Sequence, residues 1–151
     1  MATIATEPQL RSFEIVKSED IEAPLEIVFE TLLEQMGPLN ETGDNSPMPM
    51  VLEAWPGGRW YRDLGNNTGH FWGHVQVIKP PALIEINGPM FMSYPAVSHL
   101  QYRLTKEAGG TRLTLRHRAF GEIVPEHAEG VQHGWVHQLR LVRKLVEQRL
   151  K

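Results

Sequence analysis

Histidine is the residue of this 151-residue chain best able to bind a metal or transfer a proton, and there are seven of them. His133 and His137 are four positions apart, a spacing that can hold zinc on one face of a helix. Gly134 follows His133 where the H-E-x-x-H zinc motif has glutamate, although Glu129 lies one turn earlier. The absence of cysteine excludes thiolate metal sites and thiol nucleophiles. We therefore expect a solvent-exposed histidine pair, no metal and no cofactor.

His117 differs from the other histidines because it shares a predicted strand face with Leu113 and Leu115. A histidine in that position either forms hydrogen bonds within the core or presents a donor to a cavity. Asp63 and Glu85 are strand carboxylates that could act beside it as acid or base, but nothing in their spacing makes them converge. The chain has no nucleophile-elbow motif and no phosphate-binding glycine loop. No catalytic residue is assigned, and whether the protein is an enzyme stays open.

Large apolar side chains give the stronger indication of a binding site. Any one of them is more often a core residue, but together they favour a pocket for a small, largely apolar molecule. Methionine adapts to irregular shapes, so we expect the loop that contains Met90 and Met92 to act as a flexible gate. The predicted ligand-binding residues are Trp60, Phe71, Val75, Ile86, Met90, Met92, Tyr102, His117 and Trp135.

The C-terminal stretch, residues 125–150, is predicted to form a long amphipathic helix that carries one wall of this site. At about 100° per residue, Val131 and Trp135 fall on an apolar side, whereas His133 and His137 fall opposite. An isolated amphipathic helix of this length is marginal in water. The rest of the chain must therefore supply a surface that covers the apolar side.

The preceding residues are predicted to form that surface as a run of antiparallel strands. Residues 25–32 repeat apolar side chains at helical spacing after Pro24, which predicts a short helix. The predicted strands are residues 12–21, 51–55, 59–64, 69–78, 83–87, 96–105 and 111–120. Alternation with one polar face predicts a sheet that is covered on one side only. The expected fold class is α+β, a helix-grip fold in which a curved antiparallel sheet wraps the long C-terminal helix and leaves a cavity.

The longest predicted strand, residues 69–78, leaves its inward face undecided. One face carries Phe71 and Val75, and the other carries Trp72 and His74. We expect Phe71 and Val75 to point inward. Trp72 would then be exposed and would mark a homodimer contact.

Length, charge and hydropathy limit which classes of protein the chain can belong to. We expect a flexible leader over residues 1–10 and a single domain over residues 11–151. A net charge of −3 gives no basic surface for nucleic acid. No apolar run is long enough to cross a membrane, and the N-terminus lacks a secretion-signal pattern. We expect a cytoplasmic protein that binds neither nucleic acid nor membrane.

Five short motifs, in order along the chain, carry a family likeness. Residues 22–29 (EAPLEIVF) resemble the opening of the START-like superfamily, also called SRPBCC, which includes polyketide cyclases and the birch-pollen allergen. Residues 56–61 (PGGRWY), 73–81 (GHVQVIKPP), 110–117 (GTRLTLRH) and 134–135 (GW) resemble its branch of homologues of the activator of heat-shock-protein-90 ATPase. The likeness spans nearly the whole chain and implies the same helix-grip fold.

Three functions are compatible with that resemblance. The favoured interpretation is binding of a small hydrophobic molecule between the sheet and the C-terminal helix. A co-chaperone that has the heat-shock ATPase as its partner is one alternative. A cyclase or hydrolase that uses His117 is the other. The sequence names neither a ligand nor a reaction, because function depends on the site and not on the fold.

Overall fold

A computed structural model describes Glu7 and residues 9–151, so most of the predicted leader, residues 1–10, lies outside the described residues. The elements are β1 (Arg11–Ile21), α1 (Leu25–Met36), β2 (Val51–Leu52), β3 (Arg59–Gly65), β4 (Thr68–Lys79), β5 (Leu83–Gly88), β6 (Ala96–Glu107), β7 (Gly110–Gly121) and α2 (Pro125–Arg149). The described strands form one antiparallel sheet in the order β1-β7-β6-β5-β4-β3-β2. The predicted α+β helix-grip fold is confirmed.

Short turns and one longer loop, residues 89–95, join β3 to β7 into a meander, whereas β1 lies beside β7 at the far edge. Asn66 and Asn67 turn β3 into β4 with φ angles of 52° and 59°. Asparagine tolerates this left-handed region, and consecutive residues in it match the twist of a hairpin. From β1, the chain crosses to the opposite edge of the sheet through α1 and residues 37–50. α1 contacts α2, and the loop lines the same cavity as α2, so both lie on the same side of the sheet as α2.

α2 lies across the concave face and buries the side predicted from its sequence. Trp135, Leu139, Val142 and Val146 are all buried in the core. The helix also contacts α1 and β1. His133 is exposed, as expected of the opposite side, but His137 is half-buried, so the expected exposed pair is wrong for His137. No helix in the described part of the chain is long and apolar enough to cross a membrane.

A bulge in β4 overturns the expected orientation of its aromatic residues. Trp60 pairs with Gly73 and Tyr61 pairs with Phe71, so Trp72 is an extra residue on β4. The inserted residue reverses the alternation of faces. Phe71 consequently lies on the outer side and is 43% exposed, whereas Trp72 packs against the core. The expected inward position of Phe71 is wrong, and so is the exposed position expected of Trp72, while a homodimer stays a prediction.

Candidate ligand-binding site

A cavity of about 560 Å³ lies between the sheet, α1, its following loop and the first half of α2. Its apolar lining is Met48, Trp60, Trp72, Phe91, Met92, Tyr102, Val131 and Trp135. Its other lining residues are Gln35, Asn40, Thr42, Ser93, Glu126, His127, Gly130, Gly134 and Gln138. Sites for small molecules are typically roughly 300–1,000 Å³ and mostly apolar with a few polar groups. The cavity matches that description in both size and lining.

Three aromatic rings form a continuous wall on the sheet side. The ring centroids of Trp60 and Trp72 are 4.9 Å apart, and those of Trp72 and Phe91 are 5.5 Å apart, both edge to face. Trp60 Nε1 donates a 2.7 Å hydrogen bond to the carbonyl of Met36, which fixes the first ring against the end of α1. Edge-to-face pairs are favoured by the charge distribution of the rings. Trp60 is therefore held in a fixed position. Trp72, the extra residue of the β4 bulge, extends the wall.

His117 lies behind the opposite wall and holds Trp135 in place. Trp135 Nε1 donates a 2.9 Å hydrogen bond to His117 Nδ1. Because an indole can only donate, Nδ1 carries no proton, and His117 Nε2 must donate to Ser98 Oγ at 2.9 Å. The imidazole is fully buried, and this burial lowers the pKa of His117 to about 4. His117 is therefore a neutral side chain with both ring nitrogens engaged.

Three side-chain amides form the polar end of the cavity. This amide cluster consists of Gln35, Asn40 and Gln138. Gln35 Nε2 donates to Asn40 Oδ1 at 3.0 Å and also to Gln138 Oε1. Gln138 Nε2 donates to the carbonyl of Glu41 at 2.9 Å. The cluster joins α1, the loop that follows it and α2 around one corner of the cavity.

Two glycines on α2 face the cavity. Gly130 and Gly134 are one helical turn apart, and a Cβ added to either would meet no heavy atom within 4 Å. Glycine in a helix interior costs about 1 kcal/mol relative to alanine. The two glycines therefore make α2 less stable than alanines would, and they leave the space beside the helix unfilled.

Comparison with protein families identifies the chain. A family model described as Activator of Hsp90 ATPase homolog 1-like protein matches residues 22–147, which is most of the sequence. The chain belongs to this family. The match and the fold confirm the resemblance to the corresponding branch of the START-like superfamily. A search of curated proteins finds no significant match.

Solved structures share the fold of this chain. An uncharacterized protein from Rhizobium leguminosarum is 17% identical, with a TM-score of 0.72 over 95% of this chain and 99% of that one. CalU16 from Micromonospora echinospora is 20% identical, with a TM-score of 0.64 over 97% and 89% of the two chains. DynU16, a protein in the dynemicin biosynthetic locus, is 14% identical, with a TM-score of 0.68 over 89% and 47%. At these identities the likeness establishes the fold alone.

The structure brings together only some of the residues that were predicted to bind a ligand. Those that line the cavity are Trp60, Met92, Tyr102 and Trp135. Those buried in the core behind its walls are Val75, Ile86, Met90 and His117. Phe71 lies outside, on the other face of the sheet. Burial also raises the pKa of Tyr102, so its phenol stays protonated and can donate.

The predicted acid and base groups do not converge. Glu85 lies beside His99 and Gln101, both of which contact its carboxylate, and none of the three lines the cavity. Asp63 accepts a hydrogen bond from the backbone of Gly65 at the β3 turn. Within the described residues, no three His, Cys, Asp or Glu side chains come close enough to hold a metal. The expectation of no zinc requirement stays a prediction, which elemental analysis of tag-free protein would check.

Sequence reasoning missed Trp72, the amide cluster and the two glycines. Gln138 is the one that carried a signal, because it is a polar residue within the apolar stripe of α2. Gln35 had no comparable signal, since its partner Gln138 is 103 residues away. The sequence patterns connect Gly134 only with a departure from the zinc motif and with a family motif, and neither indicates a cavity. The position of a cavity depends on where side chains leave space in the folded protein, and the periodicity of a sequence does not show this.

Proposed function

We propose that this protein binds a small, largely apolar molecule in the cavity between the sheet and α2. The observation that carries the proposal is the aromatic-walled cavity itself. Sites for small molecules are concave and are lined mainly by apolar and aromatic side chains. A concave space of about 560 Å³ that is walled by Trp60, Trp72 and Trp135 is of this kind.

The glycines of α2 support the same conclusion independently. Alanine at position 130 or 134 would stabilise the helix and would meet open space. A helix selected for stability alone would not place glycine twice on its cavity-facing side. Space at this surface of α2 is more readily explained as room for a ligand.

The test uses a neutral fluorescent probe, N-phenyl-1-naphthylamine, whose emission rises in apolar surroundings. Gly134→Leu should place a side chain in the cavity without disturbing the fold, because leucine is a better helix former than glycine. We expect affinity for the probe to fall at least about tenfold, which corresponds to about 1.4 kcal/mol.

The matched control is Gln132→Leu, which adds the same side chain to an exposed position of α2 outside the cavity lining. This variant should bind the probe like the unmodified protein. Equal loss in both variants, or no loss in either, would contradict the proposal.

The geometry argues against His117 as a catalytic base. A base must reach the proton that it removes within hydrogen-bond distance. Both nitrogens of His117 are already bonded, to Trp135 and Ser98, and the ring does not line the cavity. The cyclase or hydrolase alternative would therefore need other groups.

Family membership supports a second candidate, a co-chaperone that stimulates a heat-shock-protein-90 ATPase. Such an activity would depend on an outer surface and not on the cavity. The Gly134→Leu variant separates the two functions, because it should lose probe binding while leaving any stimulation of the ATPase unchanged.

A further inference from the structure

The orientations of all three amides in the cluster follow from one backbone carbonyl. The carbonyl of Glu41 can only accept, so Gln138 must turn its Nε2 toward it and its Oε1 toward Gln35. Gln35 must then present Nε2 to Gln138, and the same nitrogen donates to Asn40 Oδ1. The hydrogen-bond network thus assigns every amide oxygen and nitrogen without ambiguity.

This arrangement leaves one acceptor and one donor unused. Gln35 Oε1 and Asn40 Nδ2 have no hydrogen-bond partner within the described residues. Gln35 is 2% exposed and Asn40 is 5% exposed, and both residues line the cavity. Buried polar atoms are paired in the large majority of cases, so an unpaired acceptor beside an unpaired donor calls for a partner. The two atoms belong to neighbouring amides, whose shared hydrogen bond is 3.0 Å long.

The charge of the lining limits what that partner can be. Among the described residues that line the cavity there is no lysine or arginine, and Glu126 is a carboxylate. A carboxylate or phosphate at the amide cluster would therefore be buried without a counter-charge, which is unfavourable. A neutral group meets no such penalty.

We infer that the amide cluster binds a neutral group that both accepts and donates hydrogen bonds, such as an amide, a lactam or a hydroxyl. Both atoms are themselves buried, so the two side-chain amides turn toward the cavity to bind this group, with Asn40 Nδ2 donating to it and Gln35 Oε1 accepting from it. The aromatic wall of Trp60, Trp72 and Phe91 takes the apolar body of the same molecule. The inference rests on the proposed function and specifies its ligand as an apolar body with one neutral donor–acceptor group.

Three probes that share a naphthalene ring test this inference by calorimetric titration at pH 7. They are 2-naphthamide, which is neutral and both donates and accepts, 2-ethylnaphthalene, which is apolar, and 2-naphthoate, which is anionic. We expect 2-naphthamide to bind about tenfold more tightly than 2-ethylnaphthalene, as one or two net hydrogen bonds would give. 2-Naphthoate should bind most weakly of the three.

Asn40→Asp keeps the shape of the side chain and the acceptor for Gln35, but replaces the free donor with an oxygen. In this variant the preference should disappear, so that the ratio of the affinities for 2-naphthamide and 2-ethylnaphthalene falls to about one. The control Gln132→Glu makes the same amide-to-acid change on the exposed side of α2 and should keep the preference. If Asn40 had only a structural role, the variant would lose affinity for both probes to the same extent.

A measurement on the unmodified protein makes the test independent of how that variant folds. The side-chain amide resonances of Asn40 should shift on titration with 2-naphthamide and should stay in place with 2-ethylnaphthalene. Equal affinity for the two neutral probes would overturn this inference and leave the proposed function standing, as would tightest binding of 2-naphthoate. Failure of all three probes to bind would overturn both.

Discussion

The indole nitrogen of Trp135 donates a 2.9 Å hydrogen bond to Nδ1 of His117, and thereby joins the middle of α2 to β7. His117 continues the connection to Ser98 on β6. A single neutral imidazole thus links three elements through buried polar contacts. This interaction fixes the ring that forms the helix wall of the cavity, and it makes the fold sensitive to the protonation of one residue.

The first prediction concerns pH. The pKa of His117 is lowered by burial from 6.5 to about 4 in the folded protein, so between these values the unfolded chain binds a proton that the folded protein does not. The contribution of His117 is complete above pH 6.5 and is lost as the pH falls toward 4. We expect the free energy of unfolding to drop by about 3 kcal/mol from this source. Urea unfolding between pH 7 and pH 4 measures it, and His117→Gln should flatten that part of the profile.

The second prediction concerns the indole of Trp135, which is 4% exposed. Trp135→Ala should lower the free energy of unfolding by about 3–5 kcal/mol, because it removes a large buried side chain. Trp135→Phe retains most of the packing but leaves His117 Nδ1 without its donor, at a cost of about 1–3 kcal/mol. Chemical denaturation of both variants checks this order. A loss below about 1 kcal/mol for Trp135→Ala would contradict the packing of α2 on the sheet.

The third prediction uses two adjacent aromatic residues on opposite faces of β4, of which the bulge turns Trp72 and not Phe71 toward the cavity. Trp72→Ala should weaken binding of N-phenyl-1-naphthylamine about tenfold, because the ring is part of the cavity wall. Phe71→Ala should leave affinity within about twofold, since that ring lies on the outer face beside His74. Fluorescence titration compares them directly. The reverse order would show that the bulge does not set the faces of this strand in solution.

The fourth prediction concerns the two glycines of α2. Gly130→Ala and Gly134→Ala should each raise the free energy of unfolding by about 1 kcal/mol, since alanine is the better helix former and neither methyl group meets a neighbour. Thermal unfolding of the single and double variants measures the gain. Loss of stability in either variant would mean that the position is not open, and would weaken the argument that the cavity is maintained for a ligand.

Local patterns were sufficient to predict the fold. The apolar stripe of α2 and the alternation in β6 and β7 each indicate a buried face. In the structure the apolar side of α2 packs on the inner face of these strands. β2 is shorter than predicted, because only Val51 and Leu52 pair with β3 while Trp55 is 58% exposed. Elements with a regular period were predicted well, since burial of one face enforces that period.

The site was predicted less completely because it depends on irregular and long-range features. The bulge at Trp72 is an insertion relative to the neighbouring strand, so it can be recognised only once β3 and β4 are paired. Gln35 and Gln138 meet through the crossing of two helices that are distant in sequence. Aromatic residue type identified Trp60 and Trp135 correctly as wall residues. Residue type alone could not show on which face of β4 the side chain of Phe71 lies.

The start of α2 has a consequence for how a molecule would enter the cavity. Its N-cap, Val124, makes no side-chain capping bond, and Gly130 and Gly134 follow within the first three turns. In the loop that was expected to act as a gate, Met90 and Met92 are 2% and 8% exposed, whereas Phe91 between them is 41% exposed. Local opening is easiest where intrinsic stability is lowest. We therefore expect a molecule to enter beside the start of α2, where the lining residues His127, Gly130 and Gly134 are already exposed.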